Sequence, residues 1–104
     1  MRVKQMSRAA ILLHPQDNVV VCCRFVTAGE RIVVAGVDIV ARQSVEIGHK
    51  LARVDLSAAE SVIKYGSTIG SMTAPAAAGD WVHLHNMKSD YISAHTRAAT
   101  GEMQ

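Results

Sequence analysis

The sequence predicts an all-β fold, and three observations carry that prediction. Apolar residues fall in short runs rich in β-branched side chains, bounded by turn formers. No window repeats them at helical spacing behind a capping residue. A seven-residue pattern of turn, acid and strand recurs three times, as Val26-Thr27-Ala28-Gly29-Glu30-Arg31-Ile32, Leu56-Ser57-Ala58-Ala59-Glu60-Ser61-Val62 and Ala76-Ala77-Ala78-Gly79-Asp80-Trp81-Val82. Short, evenly spaced strands of this kind suggest a compact barrel-like or clip-like domain.

Taken along the chain, the expected strands are residues 9–13, 19–26, 31–34, 37–45, 50–56, 61–65 and 81–85. The first is a plain aliphatic run that stops at His14-Pro15-Gln16-Asp17-Asn18, a cluster of turn formers in which Asp17 or Asn18 would bond nearby backbone amides. Gly29 and Gly79 supply the backbone freedom of a tight turn. Between them, Ser57-Ala58-Ala59-Glu60 would allow a single helical turn at most. Beyond residue 86 the chain turns polar and poor in strand formers apart from Tyr91-Ile92, so the tail is expected to be either loose or ordered only against another surface. The division expected is a lead-in at 1–8, one domain at 9–88 and a tail at 89–104.

With 104 residues, the chain has interior for one core. It is 49% hydrophobic but only 4% aromatic, so that core must come from Val, Ile, Leu and Ala. A core this thin gains from a partner that binds only the folded form, which includes a second copy of the chain as a homo-oligomer. A net charge of +2, with scattered cations and no interleaved aromatics, argues against nucleic acid. No apolar stretch is long enough to cross a membrane and no export signal is evident, so no membrane partner and a cytoplasmic location are expected. Cys22 and Cys23, the two cysteines, are adjacent and therefore point to opposite faces of a strand, poorly placed to bond each other. Both are expected to be small core residues.

Four segments could carry chemistry, the turn His14-Pro15-Gln16-Asp17-Asn18 among them. In Trp81-Val82-His83-Leu84-His85-Asn86, alternation would put Val82 and Leu84 on one face and Trp81, His83 and His85 on the other. Two imidazoles at i and i+2 lie about 7 Å apart along a strand, so His83 and His85 are candidate metal ligands. A metal needs more, and His14, Asp17 and His49 are suitable in type without any spacing that brings them there. Ordinary surface or interface histidines explain the pair somewhat better. Gly48-His49-Lys50 and Lys64-Tyr65-Gly66 each place a cation or a phenol beside a flexible glycine, as an anionic carboxylate would want. A solvated lysine and a tyrosine ring packed at a strand end account for them as well. Phosphate-binding glycine loops, serine nucleophile elbows and paired catalytic carboxylates are not evident.

These segments, in this order, resemble the SAF-type domain of altronate and galactarate dehydratases and of the small subunit of sulfolactate sulfo-lyase. The resemblance runs from His14-Pro15-Gln16-Asp17-Asn18-Val19 through Gly48-His49-Lys50-Leu51-Ala52, Asp55-Leu56 and Val62-Ile63-Lys64-Tyr65-Gly66. It continues through Ile69-Gly70, Thr73 and Gly79 to Val82-His83-Leu84-His85-Asn86. It implies a small SAF-type, β-clip-like domain, either fused to a much larger catalytic part or encoded as a separate small subunit. In such enzymes water, or sulfite in the sulfo-lyase, leaves a hydroxy acid, usually with a divalent metal such as iron. The implied partners are a large catalytic dehydratase subunit and a hydroxy-acid substrate. His14, Asp17, Asn18, His49, Lys50, Lys64, Tyr65, Gly66 and Asn86 would then face substrate or interface, with His83 and His85 as metal candidates.

A stand-alone ligand-binding module of the same fold type, and a metalloenzyme built wholly from this chain, are the competing readings. Two departures stand out: Ala59 where the pattern usually has Gly, and Cys22-Cys23 where small alanine-like residues are common. A left-handed Ala59 would cost about 1 kcal/mol or more, so another turn type is expected there.

Overall fold

The computed structural model describes residues 8–90. They form nine strands and no helix, as the all-β pattern required: β1 (Ala10–Ile11), β2 (Val19–Cys22), β3 (Arg31–Val34), β4 (Val37–Val40), β5 (Lys50–Ala52), β6 (Ser61–Lys64), β7 (Ser67–Met72), β8 (Trp81–Val82) and β9 (Met87–Ser89). A central antiparallel sheet has the order β1-β2-β5-β8. A two-stranded sheet pairs β3 with β4, and a third sheet runs β6-β7-β9. No described helix is long and apolar enough to cross a membrane.

Strand alternation divides the interior in two. On β2, Val20 and Cys22 enter one cluster with Val26, Ile32, Ile39, Val45 and Leu51. Their neighbour Val19 points the other way, joining Ala52, Leu56, Val62, Met72, Val82 and Met87. Neighbours Leu51 and Ala52 on β5 divide in the same manner, so the central sheet serves both cores. Cys22 is buried while Cys23 is exposed, so only the first is a core residue. Both thiols are free.

The turn pattern occurs four times, not three. Each corner is a four-residue turn closed by a backbone hydrogen bond: Glu30 N to Thr27 O, His49 N to Glu46 O, Glu60 N to Ser57 O, and Asp80 N to Ala77 O. The third residue of each is left-handed, with φ of 88° at Gly29, 85° at Gly48, 73° at Ala59 and 94° at Gly79. Each third residue also donates across the corner, to Ala41, Cys22, Met72 and Ala52 respectively. Ala59 therefore keeps the common turn geometry and carries its backbone cost, where another turn type was expected. That turn is not a helical one.

These corners also shorten the expected strands. Residues 19–26, 37–45 and 50–56 each bend after the first few residues, leaving isolated bridges between Val26 and Val45 and between Leu56 and Ala76. The chain thus reads as two similar halves, each a hairpin carried on a pair of corners. The β3–β4 hairpin turns at Ala35-Gly36 and the β6–β7 hairpin at Tyr65-Gly66, all four residues having positive φ, as tight two-residue hairpin turns need.

β7 and β9 are strands that the sequence pattern does not mark. Ser67–Met72 carries little β-branched character, and Met87–Ser89 sits in the polar stretch after residue 86, astride the expected domain boundary at 88. Pairing with β6 and β7 makes them strands regardless: Gly70 meets Ser89 and Met72 meets Met87. The expectation for the rest of the tail falls on 91–104, outside the described residues.

Candidate functional site

The segment between β1 and β2 is fastened to the second hairpin. Asp17, only 1% exposed, accepts from the amides of Tyr65 (3.0 Å) and Gly66 (2.7 Å). These amides lie far along the chain, not in the local bend that the turn formers suggested. Asn18 clamps β6 beside it: its Oδ1 accepts from Ile63 N at 2.8 Å, and its Nδ2 donates to Ser61 O at 2.9 Å. Arg53 completes the fastening by donating from one guanidinium nitrogen to the carbonyls of Pro15 (3.1 Å) and Asp17 (2.9 Å). His14 packs on Gly66 so closely that a Cβ there would stand 2.9 Å from the imidazole. Glycine at 66 is thus required twice, by backbone and by neighbour.

Tyr65 is 67% exposed and projects from the hairpin tip instead of packing its ring. Lys64 Nζ lies 5.8 Å from the centre of that ring. Half-buried Lys64 also raises the cost of charging Lys50. Desolvation first, and Lys64 second, hold the Lys50 ammonium below the ordinary lysine value. Among the described residues neither lysine has an ion pair; the two pairs present are Arg24 with Glu30 and Arg42 with Asp80.

Trp81 and three histidines form a cluster of four rings. His49 and His83 are 4.8 Å apart, His83 stacks on Trp81 at 5.1 Å and 11°, and His85 leans on Trp81 at 4.7 Å. His83 and His85 do not come together as alternate residues of a strand. β8 ends at Val82, and residues 83–86 form a turn closed by Met87 N donating to His83 O at 2.9 Å. Leu84, expected beside Val82 in the core, is consequently 75% exposed. Asn86 shapes this turn from inside: it is buried, its Oδ1 accepts from His83 N (2.9 Å) and its Nδ2 donates to Trp81 O (2.9 Å). Partial desolvation, followed by the charges of His49, Lys50 and His85, lowers the His83 pKa from its ordinary value.

His49 owes its place here to the corner repeat. At the other three corners an acid caps the turn, Glu30 accepting from Thr27 N, Glu60 from Ser57 N and Asp80 from Ala77 N. The fourth corner has His49 in that position. Its ring turns away from the corner, and Nδ1 accepts from the Trp81 indole N–H at 3.2 Å. Nδ1 of His14 likewise accepts from Gln16 N at 3.1 Å. A ring nitrogen that accepts from an N–H carries no proton, so in both neutral imidazoles the proton sits on Nε2. Both rings therefore present donors, not lone pairs.

That tautomer bears on metal binding. Nδ1 of His14 and of His49 is already engaged by an N–H, and His83 and His85 alone do not fill a coordination shell. Among the described residues no group of three or more His, Cys, Asp or Glu side chains is placed to hold an ion. The donor set does not fit a complete metal site.

His49, His83 and His85 are thus gathered around Trp81, while Lys50 pairs with Val82 on the other face of the sheet and stands near Lys64, which carries Tyr65 at the hairpin tip. His14 joins the Tyr65-Gly66 turn, and Asp17, Asn18 and Asn86 work underneath as fasteners. Two contributors lay beyond the sequence motifs. Arg53 gives no local signal. Gln43, which accepts from Trp81 N at 3.2 Å, is equally silent. Trp81 itself was signalled by being the single tryptophan of a chain poor in aromatics.

Residues 8–90 match the family described as the altronate/galactarate dehydratase SAF domain. The chain is 34% identical to altronate dehydratase of Bacillus subtilis (strain 168) over 83 residues, 80% of this chain and 17% of that protein. It is 39% identical to altronate dehydratase of Escherichia coli (strain K12) over 80 residues, 77% of this chain and 16% of that one. A third relative, (2R)-sulfolactate sulfo-lyase subunit alpha of Paracoccus pantotrophus, is 45% identical over 49 residues, 47% of this chain and 73% of that subunit. The match to the two altronate dehydratases thus spans about one-sixth of their length.

Proposed function

Because the chain belongs to the SAF-domain family of altronate and galactarate dehydratases, we propose that it serves as the small, non-autonomous component of a two-component hydro-lyase that eliminates water from a sugar acid or related hydroxy acid. The observation that carries this reading is the coincidence of the family match with an uncompensated set of cations and N–H donors. The set comprises His49, His83 and His85 around Trp81 and, on the other face of the central sheet, Lys50 near Lys64, with no carboxylate paired to either lysine among the described residues. Such a set suits a partner surface or substrate that brings negative charge. A large catalytic dehydratase subunit is the partner, and it completes the chemistry. Support for separate components comes from the sulfo-lyase relatives, each named as one subunit, with matched segments making up 73% and 51% of those subunits.

The division of labour follows from the donor groups. This domain contributes charge and hydrogen-bond donors, and the Tyr65 hydroxyl is an exposed donor at the hairpin tip. The divalent metal, iron in the resemblance, is on this reading supplied with the large subunit. Elimination of sulfite is the second reading, favoured by the 45% identity to the sulfo-lyase subunit.

Affinity purification of the tagged chain from its native cells tests the proposal. A much larger chain in stoichiometric amount, with the complex releasing water from a hydroxy acid, is the expected outcome. Release of sulfite would select the second reading. A chain that emerges alone and inactive overturns both and points to an independent binding module.

A further inference from the structure

We infer that the groove between β1 and the tip of the β3–β4 hairpin is a docking site for an extended segment of a partner protein, a short apolar run with an acid at each end. Of the residues that line this groove, only His14 belongs to the set that the family resemblance assigns to substrate or interface. The inference therefore stands apart from the hydro-lyase reading.

The shape of the groove comes from a sheet edge. β1 is the outermost strand of the central sheet, so one side of its backbone has no strand beside it. Ile11, Leu12 and Leu13, all half-buried, run along one wall, and Val33, 64% exposed, stands in the other. The space between them is about 620 Å³. A wall residue so exposed leaves the groove open to solvent, which suits a chain laid along it and not a small molecule that needs enclosure. Extended segments add to a free sheet edge through main-chain hydrogen bonds, and side-chain hollows beside the edge select among them.

Charge decides which segment fits. Arg8 precedes the apolar run, and Arg53 is fastened at its far end, where one guanidinium nitrogen donates to Pro15 O and Asp17 O. The Arg8 guanidinium and the other two guanidinium nitrogens of Arg53 make no hydrogen bond or ion pair among the described residues. No acid is among the described residues that line the groove. Two arginines that bracket an apolar floor complement carboxylates that bracket an apolar run. The same charges argue against two other occupants. Pairing groove to groove in a second copy would bring Arg8 and Arg53 of both chains together with no acid between them. Residues 1–7, which lead into Arg8, carry Arg2 and Lys4 and no acid.

The probe is an amidated, fluorescein-labelled heptapeptide with three central valines and two glutamates at each end. Added to the full chain, it should raise fluorescence anisotropy saturably and shift the amide resonances of Ile11, Leu12 and Val33. The same peptide with lysines for glutamates should not bind. Arg8→Glu and Val33→Glu both change exposed side chains, so both variants should fold, and each should weaken binding by about tenfold or more. Asp38 faces Val33 across the hairpin, so Asp38→Asn should tighten binding. Lys88→Glu, on β9 in another sheet, should leave it unchanged.

An acidic peptide that does not bind, a lysine peptide that binds equally well, or binding that survives both Arg8→Glu and Val33→Glu overturns the inference. So does a dimer in sedimentation that Val33→Glu splits while no peptide binds, which gives the groove to a second copy. Peptide binding gained only after removal of residues 1–7 gives it to that segment and overturns the inference as well.

Discussion

The hairpins β3–β4 and β6–β7 share a plan, two antiparallel strands closed by two left-handed residues, and differ in what holds their tips. At Ala35-Gly36, a Cβ on Gly36 would meet nothing within 4 Å. At Tyr65-Gly66, both amides donate to the buried Asp17 carboxylate and His14 covers the glycine. One backbone motif is thus a plain connection in the first half and a fixed platform in the second. The corners teach the same lesson: three are capped by acids, and the fourth gives up its cap and contributes His49 to the ring cluster. Repetition supplies the scaffold, and each break in it places a side chain of the candidate site.

The largest effect expected from breaking this asymmetry is at Asp17. Asp17→Ala leaves two amides of the second tip without their charged acceptor inside the protein, a loss of about 2–4 kcal/mol. Thermal unfolding should show a clear drop in Tm, whereas Asp38→Ala on exposed β4 should leave Tm nearly unchanged. Next come the two tip glycines. Gly36→Ala and Gly66→Ala meet similar left-handed backbones, φ 80° and 74°, and each costs about 1 kcal/mol for that reason. Only Gly66→Ala must also displace His14, so chemical denaturation should show it to be the more damaging by a further ~1 kcal/mol or more.

Smaller still is His49→Glu, which sharpens the comparison of corners. It restores the acid cap to Glu46 N and gives up the indole hydrogen bond, so net stability should change by less than ~1 kcal/mol. The four-ring arrangement is lost all the same, which near-ultraviolet circular dichroism of Trp81 would register. The smallest effect is a pH slope. Desolvation and then His49, Lys50 and His85 depress the His83 pKa in the folded state, so the unfolded chain takes up that proton first. Folded stability should therefore be fully retained above the ordinary histidine value of 6.5 and decline as pH falls through it. His83→Gln should flatten that slope in unfolding curves collected from about pH 8 to pH 5.

The sequence made the scaffold legible because corners and strands are local. Gly29-Glu30, Ala59-Glu60 and Gly79-Asp80 announce three turns, and β-branched runs announce the strands between. The fourth corner was hidden by the residue that sets it apart, since His49 breaks the acid pattern. β7 and β9 were hidden because Ser67–Met72 and Met87–Ser89 become strands by pairing, not by propensity. Site residues were legible as types in motifs, but not their meeting. Nothing local to Asp17 indicates that it serves amides 48 and 49 residues away. The pairing of His83 with His85 was anticipated for the wrong reason: a turn, not strand alternation, brings them both to Trp81.

The proposed function has the cation-bearing face near Lys64, at the second hairpin, meet the catalytic component. Its direct test is co-purification of the large chain with two charge reversals, Lys64→Glu beside the second hairpin tip and Arg31→Glu on the first hairpin. Both side chains are solvent-accessible, so both variants should fold. Loss of the large chain with Lys64→Glu and its retention with Arg31→Glu is the predicted result. Retention with Lys64→Glu and loss with Arg31→Glu would place the interface on the first hairpin and contradict the account.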